Sequence, residues 1–573
     1  MSAKQTRNVL IVIAGMLALW LLSPLIGFRQ EPLSLSPEPL SFDAARAHET
    51  IREFVTQYPG RIFGSFESRH STGYLHDTLE SLGYEMDYTQ FNGRIARRRQ
   101  VGRNVLGYKA GRIPEIIALV AHYDTAATTV QGAMKNGSGV GVLIEIARIL
   151  AANPTDRSIL IIFSDGGEWG MLGAMDIATS YAERNRIAAV LSLDYVAIGD
   201  LDALSLEETG LMRGFTPPWY RMIALGAAES QGLPVLSQSG FGEHIARTFY
   251  IPRSDQGPFL NSGIPAVNLG SRSADVRQEL AVSHSPQDTV EKLKTSSIES
   301  FGLAAERIVR TLDALPAIPQ ESMGSHRLWH ALFLGPETIL ALHVVMIFPL
   351  ALCLFYCIKN HHGSINPAGI LRELLAFIAT YIPFLMIYFL IGLFRVLRKL
   401  PVYTLYPATA KDPVLDSPSW GVMGGIIGIA AIVAGLCILF YMFPFRESPK
   451  PDFNVSKPVL LGLTLIAVVL ALFHNSYWAV TFLTLPCWIW GLTGPGRNRK
   501  KRLYHGILVA AAGLPYFIVP WFLAVSIRID TDLVWYQALA LNTGLFSAPG
   551  YFLAAAAVAL GIRFLIVQLH EAA

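Results

Sequence analysis

Long uncharged apolar runs decide most of what this chain can fold into. The first is "VLIVIAGMLALWLLSPLIGF", Val9 to Phe28, twenty residues without a charge. A bilayer crossing by a helix needs about 20 apolar residues. Lys4 and Arg7 precede it and no small-x-small cleavage site ends it, so it reads as a signal anchor rather than a removed signal peptide. Seven further runs follow the middle of the chain, at roughly 335–358, 373–395, 420–444, 458–474, 476–493, 504–527 and 546–568. Backbone polar groups in lipid must be paired within the segment, so these runs are expected to be helices, about eight spans in all. With 52% hydrophobic and 16% charged residues over 573 positions, the chain is too apolar for an ordinary soluble protein.

The spans divide the chain into a tail (1–8), an anchor (9–28), a Pro-rich linker (29–41), a polar domain (42–325) and a seven-span bundle (326–573). The linker "RQEPLSLSPEPLS" is expected to be extended and exposed. If the N-terminus is cytoplasmic, short segments on that side carry twelve basic residues and the opposite loops five. The "GRNRKKR" run decides for this orientation, which places the polar domain in a periplasm, a lumen or the extracellular space.

A net charge of +3 with dispersed basic residues makes nucleic acid an unsuitable partner, whereas membrane lipid is required. Cys353, Cys357, Cys437 and Cys487 all fall in apolar runs, so the polar domain needs no disulfide. Within the bundle, His343 and Trp478, Trp488, Trp490 and Trp521 read as interfacial residues, and Pro383, Pro486, Pro515 and Pro520 as kinks. No proton-relay or ion-pathway pattern argues for a transporter.

In the polar domain, "DAARAHETIREFV" and "STGYLHDTLESLGY" have helical apolar spacing. Apolar β-rich runs then alternate with helical ones: "EIIALVAHYD", "GAMKNGSGVGVLIEIARIL", "SILIIFSDG", "GMLGAMDIATSYAE" and "AAVLSLDYV". Such alternation indicates a sheet covered by helices. His122 and Asp124, then Asp165 and Glu168, then Asp194 recur at the C-terminal ends of the strands, where open α/β sheets place their sites. One Asp after a strand is usually a cap or turn residue. Three successive strand ends, with a later "HSPQDT" at His284, fit a metal or acid–base site better.

The stretches "LVAHYDT", "GAMKNGSGVGVLIEIAR", "FSDGGEWGMLGA", "LSLDYVAIGD", "SDQGPFLNSGIPAVNL" and "SHSPQDTVEKL" occur in one order between Phe42 and Leu315. In that order they resemble peptidase family twenty-eight, the co-catalytic zinc aminopeptidases. The resemblance implies a three-layer α/β domain with a mixed central sheet, and a peptide or protein N-terminus as substrate. It also implies zinc ligands at His122, Glu168, Asp194 and His284, with Asp124 orienting His122. The one-plus-seven span arrangement is similar to the peptidase-like subunit of the glycosylphosphatidylinositol transamidase, to multi-span endoplasmic-reticulum metallopeptidases and to bacterial multi-span members.

Two positions depart from the family pattern. Lys135 stands where the family has the Asp that bridges two zinc ions, and Gly167 where it has the general-base Glu. Gln256 replaces a His often found in the later motif. A bridging carboxylate offsets the repulsion between two ions about 3.5–4 Å apart. An ammonium there costs about 8 kcal/mol beside one zinc ion, at about 4 Å and an effective dielectric near 20. A whole structural zinc site is worth about 10–16 kcal/mol. The departures therefore imply no zinc, or at most one ion, rather than two. Asp165 and Glu243 are the remaining candidates for a base, against readings as a turn residue and a solvated loop charge. Lys135→Asp with Gly167→Glu is expected to raise metal affinity. Two functions stay open: a hydrolase with impaired or altered chemistry, and a non-hydrolytic scaffold or substrate-presenting subunit in a membrane complex.

Overall fold

The computed structural model describes residues 2–95, 98–400, 419–442, 452–494, 499–515 and 547–570, with a few single positions between 518 and 541. Two compact units result. One is built on Gly27–Pro336, the other on Met1–Ile26, Glu337–Pro401 and Pro418–Ala573.

The polar unit has an eight-stranded sheet made of β2 (Glu85–Ile95), β3 (Arg98–Lys109), β4 (Ile113–His122), β5 (Arg157–Ser164), β6 (Ile187–Leu193), β7 (Leu201–Glu207), β8 (Val235–Leu236) and β9 (Ala266–Ser273), numbered to leave β1 for Phe28–Arg29. Its order is β2-β3-β5-β4-β6-β9-β7-β8. The central pairs β5/β4, β4/β6 and β6/β9 are parallel, while β2/β3, β3/β5 and β7/β9 are antiparallel. The sheet is therefore mixed. β5 is buried throughout and β4 from Ile116 onward, as parallel strands covered on both faces must be. Along β4, Ile117, Leu119 and Ala121 join one apolar core, and Ile116, Ala118 and Val120 the other. Helices Ala44–Gln57, Ser138–Ala152, Pro218–Glu229 and Thr295–Ala314 cover the first face; Leu172–Ser180 and Gln256–Asn261 cover the second. This is the helix-covered sheet that the strand–helix alternation indicated and the three-layer α/β domain that the resemblance implied.

The glycines of "GSGVGV" set how closely the helix Ser138–Ala152 can seat. A Cβ on Gly139 would lie 2.4 Å from the Leu193 carbonyl oxygen, and one on Gly141 2.3 Å from Ile51 Cγ1. Neither fits, so these residues admit β6 and the helix Ala44–Gln57 at backbone contact.

A small second sheet joins β1, β10 (His326–Trp329) and β11 (Leu332–Leu334) in the order β1-β11-β10. The linker after β1 is irregular, as expected, but it is not free in solvent. Ser36 is buried, Leu33 and Leu35 pack on the main core, and Arg307 donates to the carbonyls of Ser36 and Glu38.

Glu243 is not a solvated loop charge. It lies on the helix Gly240–Phe249, fully buried. Arg221 bridges it (2.9 Å) to Glu208 (2.8 Å), Arg247 donates to it at 2.8 Å and the Arg327 backbone N–H at 3.2 Å. Burial opposes its charge, but Arg221 and Arg247 hold its pKa down at about 2.

The other unit contains six helices, among the described residues, long and apolar enough to cross a bilayer: Ala3–Ile26, Pro336–His361, Pro367–Val396, Trp420–Leu439, Phe453–Thr484 and Ala548–Leu569. Eight spans were expected, and the difference has two sources. Much of the run at 504–527 lies outside the described residues. The runs 458–474 and 476–493 form one helical stretch interrupted at Asn475, whose backbone is extended (φ −158°, ψ 107°). Asn475 Oδ1 accepts from the N–H groups of Tyr477 (3.0 Å) and Trp478 (3.2 Å), which caps a new helix start. Lys457 Nζ, early in the first leg, donates to Gly491 O (3.0 Å) and Thr493 O at the end of the second. That contact requires two antiparallel legs.

His343, read as interfacial, packs among aromatic rings. It is buried, stacked on Trp20 (5.7 Å) and edge-on to Tyr477 (4.9 Å). Trp488 and Trp490 are buried too, donating to the carbonyls of Met346 and Val509. Arg563 forms a buried two-pronged pair with Glu373 (2.8 and 2.9 Å). Pro383 lies inside the helix Pro367–Val396 and Pro486 in the first turn of Leu485–Leu492, while Pro520 is outside the described residues.

Removing one member of a buried charge network leaves its partners unpaired, which typically costs about 3–5 kcal/mol. Arg221→Met should lower the stability of the polar unit by that order in thermal unfolding. Adding Glu208→Gln and Glu243→Gln should recover much of the loss.

Candidate functional site

Strand register brings the candidate residues to one level. His122 pairs with Ser164 across β4/β5, and Val120 with Ser192 across β4/β6. The chain beyond these ends carries Asp124, then Asp165 to Glu168, then Asp194. Lys135 arrives on the turn Ala133–Gly137 ahead of the long helix, and His284 follows the helix Val276–Val282. His284 has φ +51°, in the left-handed region.

The centre of the site is Lys135. Its Nζ donates to both oxygens of Asp194, at 3.1 and 3.2 Å, and lies 4.3 Å from the centroid of the Tyr195 ring. Ser254 Oγ donates to Asp194 Oδ2 at 2.6 Å, and His122 Nε2 lies 3.6 Å from Asp194 Oδ1. Across the site, Glu168 Oε1 is 3.1 Å from His284 Nε2. His122 Nδ1 is 3.2 Å from Asp124 Oδ1, so Asp124 does contact the imidazole. Asp124 also accepts from the N–H groups of Gly167 (2.7 Å) and Glu168 (3.2 Å), which ties β4 to the loop after β5.

The charges sustain one another. Burial works against the Lys135 ammonium, but Asp194 and Glu168 raise its pKa above the usual lysine value. Burial likewise opposes the Asp194 carboxylate, and Lys135 and His122 hold it far below the usual range. For Glu168 burial is outweighed by His284 and Lys135, which bring it down to about 2. His122 is pushed well up by Asp124 and Asp194 against the effect of burial.

A catalytic zinc ion takes three protein ligands and keeps a fourth position open. The four family positions form two couples here, His122 with Asp194 and Glu168 with His284. Among the described residues no three of them have ligand atoms all within 4.8 Å of one another; the one group that does is His76, Asp77 and Glu80 on a helix surface. The Lys135 ammonium contacts the first couple through Asp194 and acts on Glu168 by charge. Lys135 adds a positive charge, not a donor atom, to this group of side chains.

Gly167 is equally informative. A Cβ there would lie 2.3 Å from His122 Cγ and 2.4 Å from His122 Cβ. The imidazole occupies the space that a side chain at 167 would need. Gly167→Glu therefore requires His122 to move. Asp165, read as a turn residue, is fully buried; it accepts from Ser68 Oγ (3.3 Å) and the Arg103 N–H (3.2 Å), and burial with Asp124 nearby raises it to about 8. Asp165 and Glu243 are thus both tied to structural partners. Gln256 is buried and donates to Thr209 O (3.2 Å).

Several contributors went unnoticed in the sequence. Asp288 accepts from the N–H groups of Met134 (2.6 Å) and Lys135 (3.1 Å), and fully buried Arg61 donates to the carbonyls of Tyr123 (2.8 Å) and Gln131 (3.0 Å). Together they fix the turn that delivers Lys135. Asp288 and Ser254 lie inside recognisable motifs and could have been found there. Arg61 sits in no motif. Glu207 accepts from the Arg253 N–H at 2.7 Å, beside Ser254; burial raises it to about 7, against the pull of Arg253.

Two measurements follow. Glu168 is depressed from 4.5 to about 2, so its contribution to stability is full above pH 4.5 and is lost as pH falls toward 2. Glu168→Gln should flatten the acid limb of a stability–pH curve in that window. Gly167→Glu should destabilise by about 1–3 kcal/mol, as overpacking does, with no gain in hydrolysis of aminoacyl nitroanilides.

The profile of Peptidase family M28 matches residues 104–309. The alkaline phosphatase isozyme conversion protein of Escherichia coli is 30% identical over 240 residues, covering 37% of this chain and 67% of that protein. Aminopeptidase YwaD of Bacillus subtilis is 27% identical over 210 residues, 35% of this chain and 43% of that one. Among solved structures, a zinc aminopeptidase from Bacillus subtilis aligns over 48% of this chain and 95% of its own at 17% identity, with a TM-score of 0.40. With its six motifs in order on a three-layer α/β domain, the chain belongs to peptidase family M28.

Proposed function

We propose that this protein is a membrane-anchored family member whose site holds an internal ion pair in place of the metal pair. On this reading it binds a peptide or protein N-terminus, or serves as a scaffold in a membrane complex, without two-zinc hydrolysis. The observation that carries it is the donation of Lys135 Nζ to both oxygens of Asp194, at 3.1 and 3.2 Å. Those are the atoms that would otherwise face a metal. The absence of room beside His122 for a base at 167 supports the same reading. The excess of basic residues on the other side of the spans supports a reading with the domain outside the cytoplasm.

A second reading keeps one zinc ion on Glu168 and His284, whose ligand atoms stand 3.1 Å apart, a separation that two ligands of one ion can share. It needs a third protein ligand, and Lys135 cannot be that ligand while protonated.

Elemental analysis of the purified full-length protein, dialysed against micromolar zinc, separates the two. The ion-pair reading expects well below one zinc per chain and no aminopeptidase turnover. One zinc per chain would favour the second reading, and two would overturn both. Lys135→Asp replaces the cation by a bridging carboxylate and should raise the zinc content toward two, without restoring turnover while Gly167 remains.

A further inference from the structure

The helix Gly240–Phe249 is turned inside out for a helix facing water. Its charged side chains point inward: Glu243 accepts from Arg221, and Arg247 donates to Glu243. Its outer side presents Phe241, which is 77% exposed. A surface helix normally does the reverse. One exposed aromatic residue is ordinary; its location makes it informative. A Cβ on Gly240 would lie 3.2 Å from the Leu328 carbonyl oxygen, so the start of this helix lies against β10. The same small sheet carries Trp329 (49% exposed) and Phe28 (40% exposed), with the exposed Arg29 beside it.

That sheet is fastened to the membrane by the chain itself. The first candidate span ends at Ile26 and the second starts at Pro336. Phe28 follows Ile26 by two residues, and its β11 partner Phe333 precedes Pro336 by three. Even fully extended, these links reach only about 7 and 11 Å. The residues of β1 and β11 are therefore held near the bilayer surface at both ends of the domain's chain. Trp and Phe beside a basic residue suit that zone, where an apolar ring and a polar headgroup meet.

We propose that the outer face of the helix Gly240–Phe249, with Phe241 and Trp329, rests in the phospholipid headgroup layer of the bilayer. The polar unit then has a lipid contact of its own in addition to its two covalent tethers. This does not depend on how the Lys135 site functions.

The test places p-benzoylphenylalanine at position 241 of the full-length chain, in nanodiscs of phosphatidylcholine and phosphatidylglycerol. After irradiation, mass spectrometry should find phospholipid adducts on the peptide containing position 241. Their yield should be several-fold above that of the same probe at Phe66, an exposed residue on another helix (66%). The same probe at Trp329 should give lipid adducts as well. Adducts from position 241 to another segment of this chain or to a second copy, or a lipid yield no greater than at Phe66, would overturn the proposal.

Discussion

The Lys135–Asp194 pair organises everything around it. Asp194 lies beyond the end of β6, deep enough that an unpartnered carboxylate would be too costly to keep. A cation must meet that need. Here the cation is covalent, delivered by the turn before the long helix and held over the Tyr195 ring. Asp288 and Arg61 fix the backbone of that turn, His122 inclines toward Asp194, and Glu168 closes on His284. A site that balances its own charge has less need of an ion. The side chains at these strand ends are joined by a set of internal contacts.

Much of the fold was legible because it rests on pattern. Buried parallel strands read as continuous apolar runs, and β4, β5 and β6 were visible for that reason. The helices Ala44–Gln57 and Ser138–Ala152 declared themselves by periodicity and, in the second, by glycines that only close packing explains. The long hairpin of β2 and β3 was not visible. Its polar residues face solvent, so neither strand shows a continuous apolar run. The charge network around Arg221 was missed for a related reason. Glu243 looks like any surface acid until the chain folds so that Arg221 and Arg247 surround it. Of the site, residue identities were legible and their mutual arrangement was not. Nothing in "GGEWG" indicates that the His122 ring fills the space beside Gly167.

In the membrane unit, hydropathy located apolar runs but could not describe how they turn. Asn475 shows why. Its amide caps the returning leg from within an apolar stretch, so no charged or flexible loop marks the reversal. Lys457 then meets the far end of the second leg, where helix carbonyls lack intrahelical partners. The positive side chain suits the negative end of a helix dipole, which makes its burial tolerable. A short connection and a buried lysine, both unpromising as isolated sequence features, are explained by one hairpin.

The position of the His122 ring also bears on the order in which positions 135 and 167 can be changed. A side chain at 167 needs the space that the imidazole holds, and the contacts of His122 with Asp124 and Asp194 resist its displacement. A change that begins at 167 therefore passes through a less stable protein. One that begins at 135 removes the ammonium that pairs with Asp194 and leaves a buried carboxylate without its counter-ion. Each position is held by a different cost, packing at one and charge at the other.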